Sequence, residues 1–325
     1  MKNCLIIQTA FLGDVILATS LIEKLKDTYP QVKIDFLVRK ENENLLACHP
    51  KLNEVLIWDK QSQKYRNLIK IIGRIRASKY DTVINLQRFA STGIMAAFSK
   101  GKQIIGFKEN PFSWLYHKRF PHQIGDGSHE VERNQKLISE LTNTDYARPK
   151  LYPSKAEFDK VKTFKAKPYV CLAPASVWET KQLPIEKWLV LIKSQLTAGY
   201  QVFLLGGPND LNLNTNIIVQ SANLKKQSVV NLAGQISLLE SAALMQDAEM
   251  NFVNDSGPLH IASAMNAPVT AFFCSTIPSF GFGPLSDKST IVEVQEELSC
   301  RPCGLHGKKI CPLGHFKCGN DIVIA

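Results

Sequence analysis

Short apolar runs alternate with longer amphipathic stretches along this chain, and that alternation constrains its fold more than any other feature. In the first third, "CLIIQ" leads through the turn "TAFLGD" into "VILATSLIEKLKDTYP", where Val15, Ala18, Ile22, Leu25 and Tyr29 form one helical stripe. Pro30 ends that helix, and "VKIDFLVR", "VLIWD" and "DTVINLQ" read as further strands, with the amphipathic "YRNLIKIIGRIRAS" between the last two. Across "YARPKLYPSKAEFDKVKTFKAKPYVCLAPAS" the rhythm weakens while prolines and lysines gather, and then it restarts. "YVCLAP", "QVFLLGG", "SVVNLAG", "EMNFVN" and "PVTAFF" read as strands, with helices near "PIEKWLVLIKSQLTAG", from about Leu213, at "SLLESAALMQDA" and at "LHIASAMN". Strands that alternate with helices make mostly parallel sheets covered on both faces. The expected fold is α/β, with two doubly wound, Rossmann-like βα domains over residues 1–155 and 166–325. They are expected to face each other across a cleft at the carboxyl ends of their strands, where open α/β sheets bind ligands.

A chain of 325 residues suits two such domains, and its 45% apolar and 21% charged content is that of ordinary globular proteins. No apolar run reaches the roughly 20 residues of a spanning helix, and the start "MKNCLIIQTAFLGD" does not read as a secretory signal. A cytoplasmic protein without a transmembrane segment is expected. The net charge of +10 favours an anionic partner: nucleic acid, an anionic membrane surface or a phosphorylated substrate. Lysines are spread without a dense tract, which argues against a nucleic-acid-binding arm.

Three βα turns carry residues that could do chemistry. In "FLGDVILATSLIEKL", Gly13 permits a tight turn and Asp14 falls at the start of the helix, as a capping aspartate or as a base for a substrate hydroxyl. The G-x-G-x-x-G dinucleotide fingerprint is absent there. In "FLLGGPNDLN" two glycines between strand and helix could let backbone amides approach a phosphate, and Lys181 in "APASVWETKQLPIEKW" could neutralise a diphosphate. The combination "NDSGPLH" has the most pronounced pattern. Asp255 and Ser256 follow a strand, Gly257 and Pro258 open a helix, and His260 lies in its first turn. That is a helix start suited to an anion.

With "GDVILATSLIEKLKDTYP", "SHEVERNQKLI", the K-Q-L-P at Lys181, "LLGGPND", "NLAGQISLLESAALMQDAEMNFVNDSGPLHIASAMNAPVTAFF" and a terminal "CRPCG…CP…HFKC" in this order, the chain resembles the ADP-heptose:lipopolysaccharide heptosyltransferases. These are members of glycosyltransferase family 9 with the GT-B fold. The resemblance implies that Asp14 is the general base. It implies that Asp255, Ser256, Gly257, Pro258, Leu259 and His260 hold the donor's diphosphate and sugar, and that Lys181 contacts the diphosphate. Asp210 lies near a family acidic residue that holds the nucleoside ribose. Gly13, His129 and Arg133 fall in acceptor-related or structural segments. The implied reaction is an inverting, metal-independent transfer of heptose from a nucleotide-sugar donor, ADP-heptose, to an anionic glycolipid acceptor. That acceptor is the lipopolysaccharide inner core at the cytoplasmic membrane surface. A GT-B enzyme with another donor or another surface glycan is the alternative, and a basic nucleic-acid-binding module is the rival outside enzymology.

Cys300, Cys303, Cys311 and Cys318 crowd the end of the chain with His306 and His315 nearby. In a reducing compartment they read either as a structural zinc set or as reduced, partly buried thiols. No cofactor is required by the implied chemistry. Cys4, Cys48, Cys171 and Cys274 are scattered and read as core residues.

Overall fold

The computed structural model describes residues 1–221 and 229–324. It divides into two compact units, Met1–Tyr152 and Pro153–Ala325.

The first unit holds a six-stranded, all-parallel sheet. Its strands are β1 (Asn3–Ile7), β2 (Lys33–Arg39), β3 (Glu54–Trp58), β4 (Thr82–Asn85), β5 (Gln103–Phe107) and β6 (Lys118–Phe120), in the order β3-β2-β1-β4-β5-β6. Its helices are α1 (Leu12–Thr28), α2 (Lys64–Ser78), α3 (Ala90–Ala97) and α4 (Glu130–Lys136). A strand covered on both faces needs apolar residues at every position, and Cys4, Leu5, Ile6 and Ile7 of β1 are all fully buried. The expected single stripe on α1 understates its burial, because every residue from Val15 to Leu25 is buried. Helix α4 packs against α1. The polar residues on α1 therefore need partners. Glu23 accepts from Lys51 Nζ at 2.7 Å and Tyr152 Oη at 2.9 Å, Lys24 Nζ donates to the Asp145 carbonyl at 2.7 Å, and Thr19 Oγ1 accepts from the Lys150 amide at 3.0 Å.

The second unit repeats the plan. Its strands are β7 (Tyr169–Ala173), β8 (Gln201–Leu204), β9 (Val229–Asn231), β10 (Met250–Asn254), β11 (Val269–Phe273) and β12 (Ser289–Glu293), all parallel in the order β12-β11-β10-β7-β8-β9. Its helices are α5 (Lys155–Val161), α6 (Ile185–Thr197), α7 (Leu211–Gln220), α8 (Leu238–Gln246), α9 (Gly257–Ala264) and the single turn α10 (Lys317–Asn320). The divide falls before residue 155. A capping box starts α5, where Ser154 precedes Glu157, and α5 packs on α8, so residues read as a linker belong to the second unit. Ser228 of the expected strand "SVVNLAG" lies outside the described residues.

The tail after β12 is bound into this unit at both ends. Arg301 donates to the carbonyls of Cys274 at 2.7 Å, Phe273 at 3.2 Å and Thr276 at 2.8 Å, and pairs with Glu293. Further on, Cys318 and Ile322 are buried in the core cluster around Trp188 and Phe272. Burying one such isoleucine stabilises by about 1.5–3 kcal/mol.

Each sheet reverses its strand order once, between β1 and β4 and between β7 and β10. Ligands of open α/β sheets bind outside the carboxyl ends of the strands at such a point. The loop after β1 leads into α1, whose first turn carries Asp14, and the loops after β7 and β10 carry Lys181 and Asp255.

Candidate active site

In the first unit, the loop from Gln8 to Phe11 joins β1 to α1 and is held from several sides. Lys60 Nζ donates to the Thr9 carbonyl at 2.9 Å, Asn42 Nδ2 to the Ala10 carbonyl at 3.2 Å, and Gln87 bonds to Gln8. Gly13 does not make this turn. It lies within α1, and its φ is not positive. Asp14 follows it in the first helical turn, partly buried, and the backbone amides of Phe11 and of Asp14 itself donate to its carboxylate.

Those amides and Arg88 pull the Asp14 carboxyl down, and the helix start adds about 0.3–1 kcal/mol in the same direction, less than one pH unit. Burial and the nearby carboxylate of Glu130 push the other way and win, raising the carboxyl from 3.8 to about 7. A carboxylate that titrates near neutrality can both take a proton and release it, which is what a general base needs.

Glu130 is fixed at the first position of α4. Its carboxylate receives Arg133 Nε at 2.8 Å and lies 3.1 Å from His122 Nε2, with all three side chains buried. His129 caps α4. Its Nδ1 accepts the Val131 amide at 3.2 Å, while Glu132 accepts the amide of His129 at 2.6 Å. Arg133 also donates to the Ser128 carbonyl at 2.6 Å. In the "HEVER" segment, His129 thus holds a helix start and Arg133 holds the carboxylate of Glu130, whose charge acts on Asp14.

In the second unit, Lys181 ends a turn after β7, and its Nζ lies 2.6 Å from Asp255 Oδ2. Thr276 Oγ1 donates to the same oxygen at 2.6 Å. The side chains are 14% and 8% exposed, so the pair is sheltered and still reachable by a ligand. Asn254 joins the two loops, donating to the Pro174 carbonyl at 2.7 Å and accepting the Leu183 amide at 3.0 Å.

Ser256 occupies the N-cap position of α9 without a side-chain capping bond, its hydroxyl turned toward the Asn254 carbonyl at 3.4 Å. Gly257 and Pro258 form the first turn as expected. Leu259 is fully buried, so its side chain packs the helix rather than presenting a surface. His260 is also buried, edge-on to Phe282 with ring centroids 6.4 Å apart.

Asp210 closes its own turn by accepting the Gly207 amide at 2.7 Å. A Cβ at Gly206 would come within 2.8 Å of the Asp210 side chain. That glycine leaves room for the turn's own aspartate.

The tail reaches this site. Thr180 Oγ1 accepts the Lys308 amide at 2.7 Å and a hydrogen bond from Ser275 Oγ at 3.0 Å. Gly307 adopts φ +76°, and a Cβ there would meet Lys181 Cγ and Ser275 Oγ at 3.0 Å. Among the tail thiols, Cys303 donates to the Cys300 carbonyl at 3.3 Å and Cys318 is buried. Among the described residues, no group of three or more His, Cys, Asp or Glu side chains is arranged to hold a metal ion. Of the scattered cysteines Cys4, Cys171 and Cys274 are buried, but Cys48 is exposed.

The model of glycosyltransferase family 9 (heptosyltransferase) matches residues 68–311. The chain belongs to glycosyltransferase family 9. It is an enzyme of the heptosyltransferase family with the α/β, GT-B type of fold. Lipopolysaccharide heptosyltransferase 3 of Escherichia coli is 28% identical over 281 residues, 82% of each chain. Lipooligosaccharide heptosyltransferase 2 of Haemophilus influenzae is 27% identical over 316 residues, 90% of this chain and 89% of that one. The solved structure of E. coli ADP-heptose lps heptosyltransferase II matches with a TM-score of 0.80 at 22% identity, covering 93% of this chain and 96% of that one, a likeness in fold.

Sequence reasoning missed Thr276, Thr180, Asn254, Glu130 and Arg301 in this family 9 enzyme. The H-E-V-E spacing signals a capping box around Glu130, and "TK" places Thr180 beside Lys181. Nothing local marks Arg301, whose partners are mostly backbone carbonyls.

Proposed function

We propose that this enzyme transfers a heptose from ADP-heptose to the lipopolysaccharide inner core, with inversion at the anomeric carbon and Asp14 as general base. The acceptor hydroxyl gives its proton to the Asp14 carboxylate while its oxygen bonds to the anomeric carbon. The bond from that carbon to the diphosphate breaks on the opposite side, and ADP leaves with the electron pair. Lys181 and the amides at the start of α9 would stabilise the departing diphosphate. Asp255 is itself anionic and would repel a phosphate at close range. Its role is to aim Lys181 and to accept a hydroxyl of the donor sugar. Transfer then needs no metal, because a fixed ammonium does the neutralising.

The Lys181–Asp255 pair at the reversal of the second sheet is the observation that carries this reading. The names of the relatives support heptose and a lipopolysaccharide acceptor, and the net charge of +10 suits an anionic glycolipid on the cytoplasmic face of a membrane. No helix among the described residues is long and apolar enough to cross a bilayer, so the acceptor would be met at the surface.

Calorimetric titration with ADP, UDP and GDP tests the donor. ADP selectivity that Asp255→Ala abolishes supports the proposal. A preference for UDP or GDP replaces the donor, and no binding to any of them removes the reading.

A further inference from the structure

The cations of the first unit are less evenly spread than a first reading of the chain suggests. Between Asp59 and Asp81 there is no acidic residue, and there are seven basic ones: Lys60, Lys64, Arg66, Lys70, Arg74, Arg76 and Lys79. Most of this segment is α2, which turns Ile71 and Ile75 into the core. Its outward face carries Arg66, Lys70 and Arg76 together with two apolar side chains, Tyr65 at 75% and Ile69 at 72% exposure. Tyr65 and Ile69 are four residues apart and so stand one above the other on the helix. Among the described residues, only Arg74 of the seven lies within ion-pair distance of a carboxylate, that of Glu54.

The same side of the unit continues this character. Helix α2 packs beside α3, whose C-cap Phe98 is 52% exposed, and α3 meets the turn at Ser113–Leu115, where Trp114 is 69% exposed.

We propose that the outward face of α2 docks this enzyme on an anionic phospholipid bilayer. Unpaired cations answer the negative surface of such a leaflet, while a tyrosine and an isoleucine among them can enter the headgroup layer. Polyanions such as nucleic acid would reward the cations and leave the isoleucine without benefit. The position also serves the reaction. All strands of the sheet are parallel, so α2 begins at the edge that carries the loop before Asp14, and Lys60 just ahead of α2 bonds to Thr9 in that loop. The inference names the surface by which a lipid-anchored acceptor would be met, and so deepens the acceptor half of the proposed function.

Vesicle flotation of the full chain at physiological salt tests it, with 30% phosphatidylglycerol in phosphatidylcholine against phosphatidylcholine alone. Binding is expected to the anionic vesicles only. The R66Q/K70Q/R76Q variant should lose roughly fivefold per cation, about a hundredfold in all. The Y65S/I69S variant should lose about tenfold, from the apolar area it no longer buries. Circular dichroism and ADP titration of the same variants should match the parent, because both sets of residues are exposed and lie in the other unit from Lys181. The proposal is overturned by equal flotation with neutral vesicles, by no flotation at all, or by variants that float like the parent. It is also overturned if the protein prefers a DNA duplex and Y65S/I69S changes nothing. ADP titration fails or succeeds independently of flotation, so loss of the docking surface and loss of the donor reading are separate results.

Discussion

The ammonium of Lys181 lies 2.6 Å from a carboxylate oxygen of Asp255, joining two loops that flank the strand reversal of the second sheet. Thr276 donates to the same oxygen, so Asp255 is held from a second direction and Lys181 inherits its position from a fixed acceptor. The proposed leaving group thus meets a cation whose direction is set before the donor arrives, which is the arrangement that lowers a barrier most per charge.

Lys181→Met should therefore cost about 10²–10³ in kcat, the scale seen when one preorganised donor to a developing anion is removed. Asp255→Asn keeps the Thr276 hydrogen bond and loses the charge that aims Lys181. Its donor KM should rise and its kcat should fall less than that of Lys181→Met. Steady-state kinetics with both substrates varied separates the two. Equal losses in both variants would mean that Asp255 touches the reacting groups directly.

Asp14 predicts a pH dependence. With its carboxyl raised to about 7, kcat/KM should climb as pH rises through 7 and level off above it. Asp14→Asn should lose about 10²–10⁴ in rate. Stability should move oppositely. The unfolded chain releases this proton near 3.8 and the folded chain near 7, so the folded state binds the extra proton between those values. That contribution is complete below 3.8 and is lost as pH rises through 7. Asp14→Asn should therefore melt higher than the parent at pH 8, with the gain shrinking toward pH 4. Thermal melts at the two pH values measure it.

Glu130→Gln tests what raises Asp14. It removes the carboxylate that stands second to burial in pushing Asp14 up, so the rising limb of the kcat/KM profile should move to lower pH. His122 and Arg133 also lose a charged partner, which should destabilise the fold by about 1–3 kcal/mol. Stability loss alone cannot shift a pH profile, and Glu130→Asp should restore the limb in part. A limb that stays in place would mean burial alone sets Asp14.

Much of this architecture is legible in the chain, for reasons that can be named. β1 and β7 are covered on both faces, so "CLII" and "YVCLA" read as unbroken apolar runs, and "NDSGPLH" has its proline and glycine where a helix must begin. The last strands of the first sheet are not legible. β6 is three residues long with exposed Arg119 at its centre, and its partner β5 is followed by a loop rich in aromatic residues that no periodicity marks. The bond that Asp210 makes inside its own turn was not legible, because nothing in "LLGGPND" separates an aspartate that closes a loop from one that faces a ligand. Arg301 and Gly307 were invisible because their partners belong to Thr180, Lys181 and residues 273–276, far away in sequence.

Gly307 yields the last prediction. Its φ of +76° disfavours any side chain, and the space a methyl group would need is already filled by Lys181 Cγ, Ser275 Oγ and Thr180 Oγ1 at 3.0–3.1 Å. The backbone on either side cannot easily give way, because the Lys308 amide is bonded to Thr180 Oγ1 at 2.7 Å and the Cys303 amide to the Ser275 carbonyl at 2.8 Å. Gly307→Ala should cost about 1–3 kcal/mol in unfolding free energy. More specifically, the displaced atom should be Lys181 Cγ, because its flexible stem yields before the hydrogen-bonded hydroxyls of Thr180 and Ser275 do. Donor KM should then rise several-fold while acceptor KM holds, and ADP titration should show the same loss. A Gly307→Ala enzyme that is less stable but binds ADP as the parent does would confine the tail to holding the fold.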